Sequence, residues 1–361
     1  MSDRLDDDAL LLILDELATP SSNYDVYCIT KTALRNVCLA SHRLRRLAHP
    51  RLFRQIWVVE QSQADKLKSS PAVSSLGQGT RWYTVGKLAY EDSLPEAVDM
   101  AHVLLDVEKL WMTGPWTPGN LARIESFSKL RHLSLFDAEL GGSSMVCTAP
   151  FLEELTINQS FLSGDGAAEW IQPLHLPALR ILSVVGVGES SMLRRFELIK
   201  VLGPALLAQL DVLQTVRSNL EIQSKMALGT APPVLFLVQP LDNEILPQHS
   251  LFMMLDGEEV PSVASTVRYV ARRLESAMSS SAGAHGPRVV VLPRRVLSLV
   301  ERDRDVGDAV RRLEQVCGRD VHIIWSGMKS EDLLAGGISR EFVQHVRELK
   351  AAARTASALE A

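Results

Sequence analysis

Apolar side chains recur along this chain with two different periods, and the change falls near residue 60. Leu10, Ile13, Leu14 and Leu17 lie at helical spacing and lay one apolar stripe along residues 7–17. Asp6, Asp7 and Asp8 stand ahead of it, where a helix start favours negative charge and capping oxygens. Pro20, in "ATPSSN", disfavours helical geometry at the residue before it and stops this first helix. Residues 18–33 then read as a long connection. Leu34, Val37 and Cys38 begin a second short helix, and Ser41 caps a third, whose Leu44, Leu47 and Ala48 share a face until Pro50 ends it.

Beyond residue 106 the period shortens to that of strands, and the pattern repeats. "VEKLWMT", "LRHLSLF", "LEELTIN", "LRILSVV" and "LAQLDVL" share the form apolar-x-x-Leu-x-apolar. Their central leucines are Leu110, Leu133, Leu155, Leu182 and Leu210, at intervals of 23, 22, 27 and 28 residues, the spacing of leucine-rich repeats. Strand alternation then sends the intervening residues to the opposite face. That face would carry Trp111, His132, Phe136, Asn158 and Asp211, the candidate target-binding residues, because solenoids bind partners on such extended inner surfaces. Further on, "PVLFLVQ", "SLFMMLD", "RVVVLP" and "DVHIIWS" read as strands, with helices at 260–278, 300–316 and 339–353. Ser93 and Glu96 form a capping box that opens a helix leading into the first repeat. The fold class expected is α/β: a small N-terminal helical module at 1–58, a linker and leading helix at 59–106, and an irregular leucine-rich-repeat solenoid with a parallel sheet and a C-terminal capping helix at 107–361.

Charge refines the front of the chain. Residues 1–30 hold seven acids and one arginine, whereas 31–54 hold seven Lys or Arg and no acid. A basic helix beside an acidic one reads as an internally compensated bundle. It lacks the interleaved aromatics of a base-stacking arm, and the whole chain has net charge −5, so nucleic acid is not the expected partner. Four scattered cysteines make no disulfide framework and no CxxC metal pair. The acidic start is unlike a secretory signal, and no stretch nears the roughly 18 unbroken apolar residues of a membrane span. An intracellular protein with no membrane partner is expected. Nucleophile elbow, phosphate loop and HExxH helix are all missing from the sequence. His42 and His49 are seven residues apart with no further ligand nearby, so no metal, no cofactor and no catalytic residue are expected.

The N-terminal helices resemble an F-box, the module that docks F-box proteins onto the Skp adaptor of cullin ubiquitin ligases. Leu5, Asp8, Leu10, Ile13 and Leu14 fall in the register of the family's opening motif. "CLASHRLRRLAHPRLFRQI" is similar to its later run, above all to the degenerate fungal type. The resemblance covers about one sixth of the chain. It implies adaptor contacts from Leu5, Leu10, Ile13, Leu14, Leu17, Leu39 and Leu44. It also implies a non-enzymatic role: substrate recognition in a Skp–cullin–F-box ligase, with the adaptor and through it a cullin as partners and an unknown target protein on the solenoid. A leucine-rich-repeat scaffold that does not bind the adaptor is the alternative, and an unrecognised enzyme the remote one.

Overall fold

Asp6 opens the first helix, α1 (Asp7–Leu17), its carboxylate accepting the Ala9 N–H at 2.7 Å. Ser41 caps α3 (His42–Leu52) in the same way, accepting the Leu44 N–H at 3.1 Å. The computed structural model that carries these details describes residues 6–20, 24–70, 79–86, 100–113, 122–136, 139–141, 147–158, 161–163, 170–185, 204–215, 263–265, 267–268, 271–272, 275, 289–318, 322–327 and 340–360. It has mixed helix and strand, with helices at the N-terminus and strands paired in parallel. Two compact units divide the chain, Met1–Leu179 and Arg180–Ala361.

Between α1 and α3 the structure differs from the expected long connection. Helix α2 runs over Tyr24–Ala40, seventeen residues. Tyr27, Lys31, Leu34 and Cys38 recur at helical spacing, but a tyrosine and a lysine hid the stripe. Leu14, Ala18, Leu34, Cys38, Leu47 and Ala48 form the core of this helical module. Pro50 lies inside α3, within its last turn, and the helix continues to Leu52.

The sheet then begins earlier than the leucine repeat. Strand β1 (Gln55–Val58) follows α3 directly, α4 (Gln61–Ser69) comes next, and β2 (Trp82–Val85) precedes the first repeat strand, β3 (Lys109–Thr113). Repeat strands β4 (His132–Phe136) and β6 (Glu154–Asn158) follow, while β5 (Glu139–Gly141) and β7 (Phe161–Ser163) pair with each other. Within the first unit the parallel order is β1-β2-β3-β4-β6. Two of its strands therefore lie ahead of the leucine repeat: β1 falls in the stretch expected to be helical module and β2 in the expected linker. The residues of the Ser93–Glu96 capping box lie outside those described.

Register explains the repeat. Ile56, Tyr83, Leu110, Leu133 and Leu155 form one cross-strand row, and Val58, Val85, Met112, Leu135 and Ile157 the next. All ten are buried. The leading apolar positions Val107, Leu130 and Leu152 are buried as well, so each position of the motif supplies its own layer. No single copy can bury these side chains alone.

In the second unit β8 (Ile181–Val185) pairs in parallel with β9 (Val212–Thr215), and α5 (Pro204–Gln209) lies between them in sequence. The register matches Leu182 with Leu213, so the fifth repeat strand lies three residues beyond its expected centre at Leu210. Leu206 and Leu210 are buried residues of the preceding helical turn, which mimics the motif's spacing. Strands β10 (Val289–Pro293) and β11 (His322–Ser326) form another parallel pair, joined by α6 (Arg295–Val300) and α7 (Arg304–Cys317). Helix α8 (Arg340–Glu360) buries Phe342 and Val346 against Ile181, Val212 and Ile324. The strands expected at 233–239 and 250–256 lie outside the described residues.

Candidate interaction surfaces

Electrostatics organise the helical module first. Asp7 binds Arg43 and Arg46 at 2.7 and 3.1 Å. Asp15 takes Arg51 in a two-pronged pair at 2.7 and 3.0 Å, with Arg54 at 3.5 Å. Arg51 is the first cause of the Asp15 carboxyl's lowered pKa. The acidic first helix and the basic third thus neutralise each other across the module.

The apolar side chains left outside are unevenly distributed. Leu12, Ile13, Val26, Ile29 and Leu39 are exposed, five of the nine large exposed hydrophobics among the described residues, and all lie on α1 and α2. Of the residues implied in adaptor contact, Ile13 and Leu39 are 55% and 66% exposed. Leu10, Leu17 and Leu44 are half-buried, and Leu14 is packed in the module's own core. Leu5 lies outside the described residues. Sequence reading missed Val26 and Ile29 because it took that stretch for a connection; a helix drawn from Tyr24 would have revealed them.

A second surface is the sheet face opposite the leucine rows. Trp57, Thr84, Trp111, Ser134 and Thr156 form its central row. The Trp111 ring lies 6.4 Å from Trp57 and 6.3 Å from Phe136, at 29° and 35°. Beside this aromatic band Lys109 stands over the Trp82 ring at 5.4 Å, and His132 meets the Glu154 carboxylate at 2.8 Å. The backbone of Asn158 is in register with Phe136 at the far end. Asp211 lies in the second unit. It precedes β9 there and faces Arg347 at 3.6 Å.

The helical module closes one end of the band. Tyr24 and Tyr27 pack on Trp57 with ring centres 5.2 and 5.6 Å away. The edge-side N–H of Trp57 donates to the Tyr27 hydroxyl at 3.3 Å, and that of Val59 to Gln63 at 2.9 Å. These contacts cover the open edge of β1, which would otherwise template pairing with another chain. Burial raises the Tyr27 phenol to about 12. On this face Trp57 Nε1, Thr84 Oγ1 and Trp111 Nε1 are buried with no hydrogen-bond partner. Each such group costs about 1–3 kcal/mol.

Among the described residues no helix is long and apolar enough to cross a membrane, and no cluster of three potential metal ligands occurs. All four cysteines are free. No family model and no curated protein matches the chain.

Proposed function

We propose that this protein is a substrate-recognition subunit of a Skp–cullin–F-box ubiquitin ligase, intracellular and without catalysis of its own. The observation that carries the reading is the concentration of exposed apolar side chains on α1 and α2, next to arginines already paired with acids. Helical docking modules offer such anchors to a groove. The parallel ladder of strands, one per repeat in β3, β4 and β6, supports an irregular leucine-rich-repeat solenoid as the target-holding part. Trp111 and Phe136 are the anchors expected there, aromatic residues being enriched at binding hot spots. Proximity is the mechanism: a held target meets the ubiquitin-charged enzyme at high effective concentration.

Copurification of the full chain with a Skp-type adaptor and cullin tests this. The double substitution Ile13→Asp and Leu39→Asp should weaken adaptor binding more than tenfold while leaving the thermal transition unchanged, since both side chains are exposed. Wild-type chain that does not bind the adaptor at micromolar concentration would establish the scaffold alternative instead.

A further inference from the structure

Helix α8 is fastened along one face of β11 by three successive contacts. Strand alternation sends Ser326, Ile324 and His322 to that same face. At the end of the strand the Ser326 hydroxyl donates to Glu341, in the first turn of α8, at 3.5 Å. Glu341 also accepts the Gly327 N–H at 2.9 Å. In the middle Ile324 packs in one cluster with Phe342 and Val346. At the start of the strand the imidazoles of His322 and His345 lie face to face, ring centres 4.6 Å apart and planes within 12°. The first two contacts are those of any docked amphipathic helix. The third sets two titratable side chains against each other.

Among the described residues, the charged groups around this pair have other engagements. On α8, Arg347 faces Asp211, just ahead of β9, at 3.6 Å, and Glu348 accepts from Gln344 at 2.8 Å. Glu341 stands 3.9 Å from Arg294 as well as holding β11. Arg180, just ahead of β8, donates to the Gln209 carbonyl, and on β10 the residue in register with His322 is Val289. Burial first, then the charge of His322, lowers the pKa of His345, while Glu348 acts the other way.

We propose that His322 and His345 form a pH-sensitive clasp, which holds α8 on β11 while at most one ring is protonated and loosens it when both are. A single imidazolium beside a neutral ring meets no like charge. Two at 4.6 Å repel enough to weaken docking about fivefold, even with the full screening of water. The undocked helix takes up its proton near the ordinary pH of 6.5, so docking weakens as pH falls below that value. Loosening uncovers Ile181, Val212 and Ile324, and acid therefore exposes apolar surface in the second unit. The clasp depends on neither the adaptor reading nor the target reading.

The test is amide exchange of the full chain, read by mass spectrometry in residues 342–348 at about pH 8 and about pH 5. Dividing each rate by the intrinsic rate at that pH gives the local opening constant. In wild type this constant should rise about fivefold or more on acidification. His322→Gln, at an exposed position, removes the repulsion but not the burial of His345, so the rise should shrink by about two- to fivefold. Should that variant fail to fold, the imidazole C–H signals of the wild-type chain give a second reading by NMR. The two rings should titrate as a coupled pair, with one step below pH 6.5. No rise in wild type, an equal rise in wild type and His322→Gln, or two independent titrations near pH 6.5 overturns the clasp.

Discussion

Replacing Leu133 by Ala probes the strand parity on which both the core and the candidate target surface depend. Leu133 is fully buried, in the middle of a row between Leu110 and Leu155, each at most 1% exposed. Truncation removes three carbons, worth about 0.8 kcal/mol each in transfer, or about 2.4 kcal/mol. Strands on both sides hold the neighbouring leucines apart, so the space closes only partly and a cavity cost adds to this. The expected loss is about 3–4 kcal/mol, inside the usual range for buried leucines. Five of the six tryptophans, at 57, 82, 111, 116 and 170, belong to the first unit, so intrinsic fluorescence in urea reports chiefly on it. With a slope of about 2 kcal/mol per M the midpoint should fall by about 1.5–2 M. Ser134→Ala, one residue on and on the opposite face, should move it by less than about 0.5 M. If Leu133→Ala has the smaller effect of the two, the assignment of faces is wrong, and Trp111 and Phe136 cannot form a recognition surface.

Two further expectations concern single residues. Lys31 has a folded-state pKa of about 8 against 10.5 for an ordinary lysine, so between these values the unfolded chain holds a proton that the folded chain lacks. Stability should therefore rise from about pH 8 to pH 10.5, by up to about 3 kcal/mol, relative to Lys31→Met measured in parallel. A constant difference between the two proteins across that window would refute the burial of a charged amine. Gly86, at the exit of β2, has φ of +135°, and a Cβ there would run into the Thr113 side chain and carbonyl. Gly86→Ala should cost about 1–3 kcal/mol or more in urea denaturation, and a neutral result would refute the tight β2–β3 approach.

Much of the fold was legible because its signals are local. The caps at Asp6 and Ser41 need only a short polar side chain three residues ahead of an N–H. The first three repeats announce themselves because each buries the same three positions, such as Leu130, Leu133 and Leu135. Strands β1 and β2 have four residues apiece and carry Trp57, Tyr83 and Thr84 in place of leucines, so no repeat was visible. The fifth copy misled because a helical turn spaced Leu206 and Leu210 as a strand motif would. For the candidate surfaces, alternation correctly put Trp111, His132 and Phe136 on the face opposite the leucines, yet it could not tell that Tyr24 and Tyr27 cover the end of that band. Nor could helical spacing tell that Leu14 faces inward while Ile13 faces out.

By itself, then, the sequence determined the helical start, the parallel repeat and the alternation of its faces, since each follows from spacing within a few residues. Tertiary structure alone decided where the sheet begins, which aromatic side chains are covered, and which amine is buried. Lys31 makes the reason plain: it shares a helical stripe with Tyr27 and Leu34, but that spacing alone does not say what packs over its ammonium. Burial lowers its pKa, and the groups packed beside it include Leu52 and Phe53, some twenty residues away. Burial and charge balance depend on groups far apart in the chain, and only folding brings them together.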